Sequence, residues 1–300
     1  MVPMQFSGAR RLMDTYDHFD DGTSKELNSL HTTVVIFFAL WIILVAASFT
    51  ALYLLPGRVF AYLFFAAIPC FFVWRSATKK RRAFIGDKIT RVALQRHFEL
   101  LEFDHNRHID MALLSELPTS DWNGIKKGSD YIHGRYKGAE FLFSNFVLTD
   151  ADMDGSTKVR AFNGQWLILK LKHDIWPCMA IDEYHPFTVR RLRDIDFLSE
   201  NMTFNKRFRL QAEDPQMALH ILTPRFIENL LSMDQSVNGV VSGKKLIYIQ
   251  GGNLHFVLSS KRSFFETMDM SVLQTRIEQD IVGIQCILDV FLSNERLYNT

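Results

Sequence analysis

The chain has 300 residues, 48% of them hydrophobic and 22% charged, and a formal net charge of +1. That length allows one large or two modest domains with real cores, and that composition excludes a wholly disordered protein. The near-neutral balance offers no global basic field, so nucleic acid is not expected as a partner.

Residues 1–30 mix charge with Gly, Ser and Asp and read as a short cytoplasmic tail. Thr33–Leu55, TVVIFFALWIILVAASFTALYLL, holds no charge. At about 1.5 Å per residue, a helix of this length crosses a hydrocarbon core of roughly 30 Å. Pro56-Gly57-Arg58 makes a turn, and Val59–Trp74, VFAYLFFAAIPCFFVW, is again uncharged. This second run is short for a span, but carried to Thr78 it lets Arg75 snorkel to the interface. Pro69 is tolerable as a kink in a packed helix pair. A signal peptide would place one short apolar core near residue 1, whereas here the first run starts past residue 30 and a second follows. Residues 31–78 are therefore predicted to form a two-span transmembrane hairpin; the alternative is a buried hairpin in a soluble protein.

Charge orients the hairpin. Its turn carries only Arg58, while Arg75, Lys79, Lys80, Arg81 and Arg82 follow the second run and Arg10, Arg11 and Lys25 precede the first. By the positive-inside rule both termini face the cytoplasm, with the cluster from Arg75 to Arg82 at the membrane surface against anionic headgroups. Cys70, Cys178 and Cys286 show no CxxC spacing, which fits free thiols in a reducing compartment.

Residues 79–118 read as a helical connector. Ile85, Ile89, Val92, Leu94, Phe98, Leu101, Ile109 and Leu113 recur at near-helical spacing, with a break near Asp104-His-Asn106. Residues 119–300 then read as an α+β domain. Asp130–Tyr136 and Ala139–Thr149 alternate around a Lys137-Gly138 turn. Lys158–Lys172 is a strand pair or one long bent strand. Pro177–Ile181, Phe187–Leu192 and Phe204–Leu210 add short strands. Asp214-Pro215 opens a helix, Pro224 starts or kinks another, and Lys245–Ile249 with Leu254–Leu258 flank a hairpin at Gln250–Asn253. Val272–Leu292 closes the chain as an amphipathic helix. Strands followed by helices point to α+β rather than a parallel α/β sheet.

Several pieces together resemble an uncharacterised bacterial membrane-protein family, domain of unknown function 3137. They are His133–Gly138 leading into Phe141–Ser144, then Phe162-Asn-Gly164, Phe204–Phe208, Gln211–Asp214 and Ile221–Phe226. The resemblance implies an N-terminal pair of spans and a cytoplasmic domain in the bacterial inner membrane. It supplies no reaction.

Chemistry-bearing motifs are sparse. Asp150, Asp152, Asp154 and Gly155 fill the first positions of a calcium loop, but position 12 is Ala161 and position 9 is Lys158, so the closing carboxylate is missing. An acidic turn is the expectation. His105 and His108 stand three apart beside His97 without an HExxH order, and read as solvated helix polarity. There is no GxSxG elbow, and Gly134–Gly138 lacks the phosphate-loop form. Arg190, Arg191 and Arg193 form a short surface run. No cofactor, metal or catalytic residue is expected. The expectation is a non-catalytic, membrane-anchored domain that binds a protein or lipid partner or a second copy of itself. The alternative is an enzyme on a membrane-associated substrate whose site only the fold assembles.

Overall fold

The computed structural model describes residues 21–54, 58–110, 112–113, 126–148, 162–183, 195–234, 239–260, 262–265 and 272–298. The chain divides into two compact units, with the boundary between Ile85 and Gly86.

The first unit holds helices α1 (Asp21–Leu54) and α2 (Arg58–Phe84). They run antiparallel. His31 meets Arg81 at 3.3 Å, Phe38 meets Trp74 at 5.3 Å between ring centroids, and Trp41 meets Phe71 at 5.8 Å. The seam buries mostly small side chains, among them Ser48, Ala51, Ala67 and Ala77. Large apolar side chains point away from it: Ile43 is 62% exposed and Phe65 66%. Hydroxyls within the helices are satisfied internally, Ser48 Oγ donating to the Leu44 carbonyl at 2.7 Å and Thr78 Oγ1 to that of Trp74 at 2.9 Å. Among the described residues one helix, Lys25–Ala51, is long and apolar enough to cross a membrane.

The second unit is α+β. A π-helical stretch (Ile85–Thr90) and α3 (Arg91–His97) precede seven runs of strand: β1 (Glu99–Asp104), β2 (Lys126–Tyr136), β3 (Ala139–Leu148), β4 (Phe162–Glu183), β5 (Ile195–Phe197), β6 (Phe208–Ala212) and β7 (Lys244–Ser259). Helix α4 (Met202–Arg207) lies between β5 and β6; α5 (Pro215–Ile221) and α6 (Pro224–Ser232) follow β6; α7 (Leu273–Leu292) and α8 (Glu295–Tyr298) close the chain. All pairings are antiparallel.

The two longest strands are bent. Tyr248 and His255 are seven positions apart in β7, which would separate them by roughly 23 Å in an extended run. Their rings stand 6.3 Å apart. β7 therefore folds back at Gln250–Asn253, as the sequence led us to expect, with Gly251 at φ 55 where a II′ turn demands glycine. β4 wraps round that tip: Lys170 pairs with Asn253, Ile175 with Gly251 and Met179 with Ile249. Its first half stays beside β3 and its second half lies beside β6. The Lys137-Gly138 turn is also as expected, at φ 52 and 82, with Tyr136 paired to Ala139.

One sheet face carries Phe141, Phe143 and Phe256 toward helices and the segment after β7. Phe256 meets Phe291 of α7 at 5.7 Å, and Phe143 meets Phe264 at 5.5 Å. From α7, Ile277, Ile281, Ile284, Ile287, Leu288 and Phe291 are buried, each contributing about 1.5–3 kcal/mol of apolar burial. The opposite face gathers Phe146, Trp166, Ile168, Ala180, Leu246, Tyr248 and Val257, with Ile109 packed in the same cluster.

Three sequence expectations change. Glu99–Asp104 is the edge strand β1, paired with β2, and not part of a helical connector; the sheet unit begins at Gly86 rather than at residue 119. Leu94, Phe98 and Phe103 are buried, which apolar residues on a free connector would not be. Phe204–Arg207 is helical because the Asn201 side chain caps it, accepting from the Thr203 and Phe204 N–H groups at 3.0 Å each; only Phe208 onward is strand. Pro177–Ile181 is the return half of β4 rather than a separate strand. The helix starts hold: Asp214 caps α5, Thr223 caps α6, and proline follows each cap.

Candidate functional site

A row of polar side chains crosses the sheet face that meets α7. Asp130 sits at an irregularity in β2, in the left-handed region at φ 58, and is buried. Its carboxylate is shared. One oxygen takes the His105 ring (Nδ1); the other accepts from Ser129 Oγ at 2.6 Å and from Asn145 Nδ2 at 2.7 Å. Asn145 also holds Phe264 as a strand neighbour would, donating to its carbonyl and accepting from its N–H, both at 2.8 Å. Gln165 on β4 donates to the Arg262 carbonyl at 2.7 Å. Phe265 takes φ 58, its N–H donating at 2.7 Å to Asp280, which also receives the Arg262 guanidinium. Burial pushes the Asp280 carboxyl up to about 6, with the Phe265 N–H and Arg262 pulling the other way. Two non-glycine residues in a disfavoured backbone region, one at each end of a buried network, mark a place that the surrounding structure holds by force.

The row fixes the segment Arg262–Phe265, and Arg262 at its start lines a cleft. The cleft, about 610 Å³, lies where the two ends of β7 meet the start of β4, and is lined by Asn163, Gly239, Val240, Ser242, Gly243, Lys244, Ser259, Ser260 and Arg262. Its size is that of a small-molecule site. Backbones approach closely here: Ser260 N–H donates to the Asn163 carbonyl at 2.9 Å, and a Cβ on Gly243 would lie 2.2 Å from the Ser259 carbonyl oxygen.

The opposite face differs. His255 is fully buried, stacked on Trp166 at 5.8 Å, and burial holds its ring down to about 4. Asp182, one pleat on from Ala180, is pushed up to about 7, by burial first, with Arg209 offsetting part of it. Trp166 Nε1 and Asp182 Oδ1 are buried with no hydrogen-bond partner among the described residues.

A third cluster is a balanced set of ions. Arg207 donates from Nε to Glu183 at 2.8 Å and also meets Asp234. Lys245, fully buried, gives Nζ to Asp234 and, at 2.8 Å, to the Gly243 carbonyl, while its N–H donates to Glu183 at 3.1 Å. With both acids and both bases paired, this ties β4, α4, β7 and the residues just after α6 together and fixes the base of the cleft loop.

The sequence-predicted residues fall as follows. Arg75, Lys79, Lys80 and Arg82 are exposed on α2, and Arg81 is half-buried against His31. His97 pairs with Glu278 at 3.0 Å, His105 with Asp130, and His108 with the Ile109 carbonyl at 2.8 Å, so the three do not converge. Among the described residues no group of His, Cys, Asp or Glu could hold a metal. Asp150, Asp152 and Asp154, the expected strand Phe187–Leu192, and Arg190, Arg191 and Arg193 lie outside the described residues. Cys70, Cys178 and Cys286 form no disulfide among the described residues. Sequence reasoning missed Asp130, Asn145 and Gln165. Their signal was a lone polar residue at an inward position of an apolar run, as in AEFLFSNFVL and FNGQWLILK.

Residues 160–292 match the model of DUF3137, described as a protein family of unknown function. The match begins after His133–Gly138 and Phe141–Ser144, the first pieces of the sequence resemblance, and contains the later ones. No curated protein matches the chain. Among solved structures, that of the mycobacterial trehalose monomycolate transport factor A is similar at 8% identity, over 69% of this chain and 94% of that one, with a TM-score of 0.39.

Proposed function

We propose that the chain is a bacterial inner-membrane protein whose two N-terminal helices cross the bilayer as a hairpin, both termini cytoplasmic. The α+β unit is then held at the membrane surface as a non-catalytic module that binds a protein or lipid partner. The observation that carries this reading is the direction of the large side chains on α1 and α2. Apart from the Phe38, Trp41, Phe71 and Trp74 rings that meet across the pair, most of them face outward, and what the seam buries is mostly small. In water that arrangement exposes apolar surface for no gain; in hydrocarbon it is the expected one, because close packing of small residues is what joins helices there. Arg75, Lys79, Lys80 and Arg82, exposed near the end of α2, suit an anionic membrane surface.

Reporter fusions at residue 20 and after residue 300 test the topology. Both are expected to report cytoplasm, with only the Pro56–Arg58 turn reached from outside. Either terminus outside overturns the hairpin and the placement of the domain with it. A second reading, an enzyme, draws on the His105 ring oriented by buried Asp130, an arrangement that general bases share. Ser129 donates to Asp130 and not to the imidazole, so that serine is not set as a nucleophile.

A further inference from the structure

We propose that the cleft at the open end of β7 binds a phosphate-bearing group, as a free phosphate ester or as a lipid headgroup. The lining is the argument. Among the described residues it contains two cations, Lys244 and Arg262, and no acid, with Asp280 pairing Arg262 from behind. Ser242, Ser259 and Ser260 line the same cleft, and the Ser260 hydroxyl accepts from the Arg262 N–H at 3.2 Å. A cationic ligand is repelled by this set, and a neutral one makes no use of the exposed Lys244 charge. A tetrahedral oxyanion accepts hydrogen bonds in several directions at once, which hydroxyls and cations on separate walls require.

Each cation is placed rather than incidental. Lys244 and Lys245 are neighbours in a strand, so they point to opposite sides. Lys245 goes inward to Asp234 and Glu183. The Lys244 side chain goes outward and is exposed; it makes no ion pair among the described residues, and its charge only pulls the Asp182 carboxyl down in part. Arg262 is anchored from behind by buried Asp280 yet keeps 34% of its side chain exposed. The polar row through Asn145 and Gln165 holds the backbone on which Arg262 stands. Gly243 keeps the floor low, since a side chain there would strike Ser259.

The test uses the full chain in a neutral detergent, so its outcome does not depend on the membrane topology. The chain is titrated calorimetrically with inorganic phosphate, with glycerol 3-phosphate, and with short-chain phosphatidic acid beside phosphatidylcholine. Saturable binding of the soluble phosphates assigns a free ester; saturation by phosphatidic acid alone assigns a headgroup. Lys244→Gln is expected to weaken either by about tenfold or more, as the loss of one charge-assisted contact implies. Arg262→Gln is expected to do the same. Arg262→Lys, which keeps a cation for Asp280, covers the case in which the glutamine variant fails to fold. Absence of saturable binding by all three phosphates, or affinities unchanged in Lys244→Gln and Arg262→Lys, overturns the proposal.

Discussion

The hairpin and the sheet unit use the same kinds of residue in opposite ways. In the sheet unit Phe141, Phe143 and Phe204 are fully buried, whereas in the hairpin Phe49 is 60% exposed, Phe65 66% and Phe72 61%. Where the sheet unit buries polar groups, it pairs them in networks that run between distant strands. The hairpin satisfies its hydroxyls on the preceding turn of the same helix. A core built from long-range contacts suits a chain that excludes water by folding. A helix pair with an open apolar surface suits a solvent that is already apolar. On the proposed reading one solvent does not serve both units, and the predictions below press on that difference.

The largest effect concerns the boundary. A fragment of residues 86–300 is expected to unfold cooperatively in buffer without detergent. A fragment of residues 119–300 lacks β1 and α3, hence the buried side chains of Leu94, Phe98, Phe103 and Ile109, and is expected to show no cooperative transition. Thermal melts followed by circular dichroism decide the matter. Equal cooperativity in the two fragments would mean that β1 is dispensable and that the sheet unit starts later than Gly86.

Next comes Lys245→Ala. It leaves Glu183 and Asp234 facing Arg207 alone, in a place where the lysine is fully buried. Breaking a buried pair from one side costs about 3–5 kcal/mol. Urea melts of the 86–300 fragment measure it, and a cost near zero would show that the cluster is open to water. The same substitution is expected to leave membrane association of the full chain unchanged, because the hairpin has no part in it.

Ile43→Arg reverses the roles. Ile43 lies outward near the middle of α1. On a water-facing helix the change falls within about 0.5 kcal/mol. At the centre of a membrane span it costs roughly 2.5–3.5 kcal/mol of insertion. The integrated fraction after alkaline washing of membranes is the readout. An unchanged fraction would place α1 in water and end the anchoring proposal.

What could be read in the sequence follows the same division. The pair of N-terminal helices was legible because its signal is local: two uncharged runs in sequence. Lys137-Gly138, Gln250–Asn253, Asp214-Pro215 and Thr223-Pro224 were legible for the same reason, since turn and cap chemistry acts over a few residues. ELLEFD in β1 was not. Its apolar residues also continued a helical spacing, and only the pairing with β2 decided between them. The polar row was beyond reach, because Asp130, Asn145 and Gln165 lie on three strands and meet only once the register is set.

The last effect lies within the sheet unit and tests whether its second face is as dry as its burial says. His255 titrates at about 4 in the folded protein, below its ordinary 6.5. As pH falls from 6.5 to 4, the unfolded chain takes up a proton that the folded one refuses, so stability is lost on the acid side. Asp182 behaves in the opposite sense. Its folded value is about 7 against an ordinary 3.8, so its contribution is full below 3.8 and is lost as pH rises to about 7. Asp280, at about 6, loses its contribution between 3.8 and 6. Melting temperatures of the 86–300 fragment from pH 4 to 7.5 separate these effects through two variants. The difference between Asp182→Asn and wild type is expected to move in the variant's favour as pH rises. That between His255→Gln and wild type is expected to move in the variant's favour as pH falls below 6.5. The opposite slopes matter more than either size, since a general loss of packing shifts both curves without tilting them. A flat difference for both variants would mean that water reaches Asp182 and His255, and that this face of the sheet is open where the α7 face is closed.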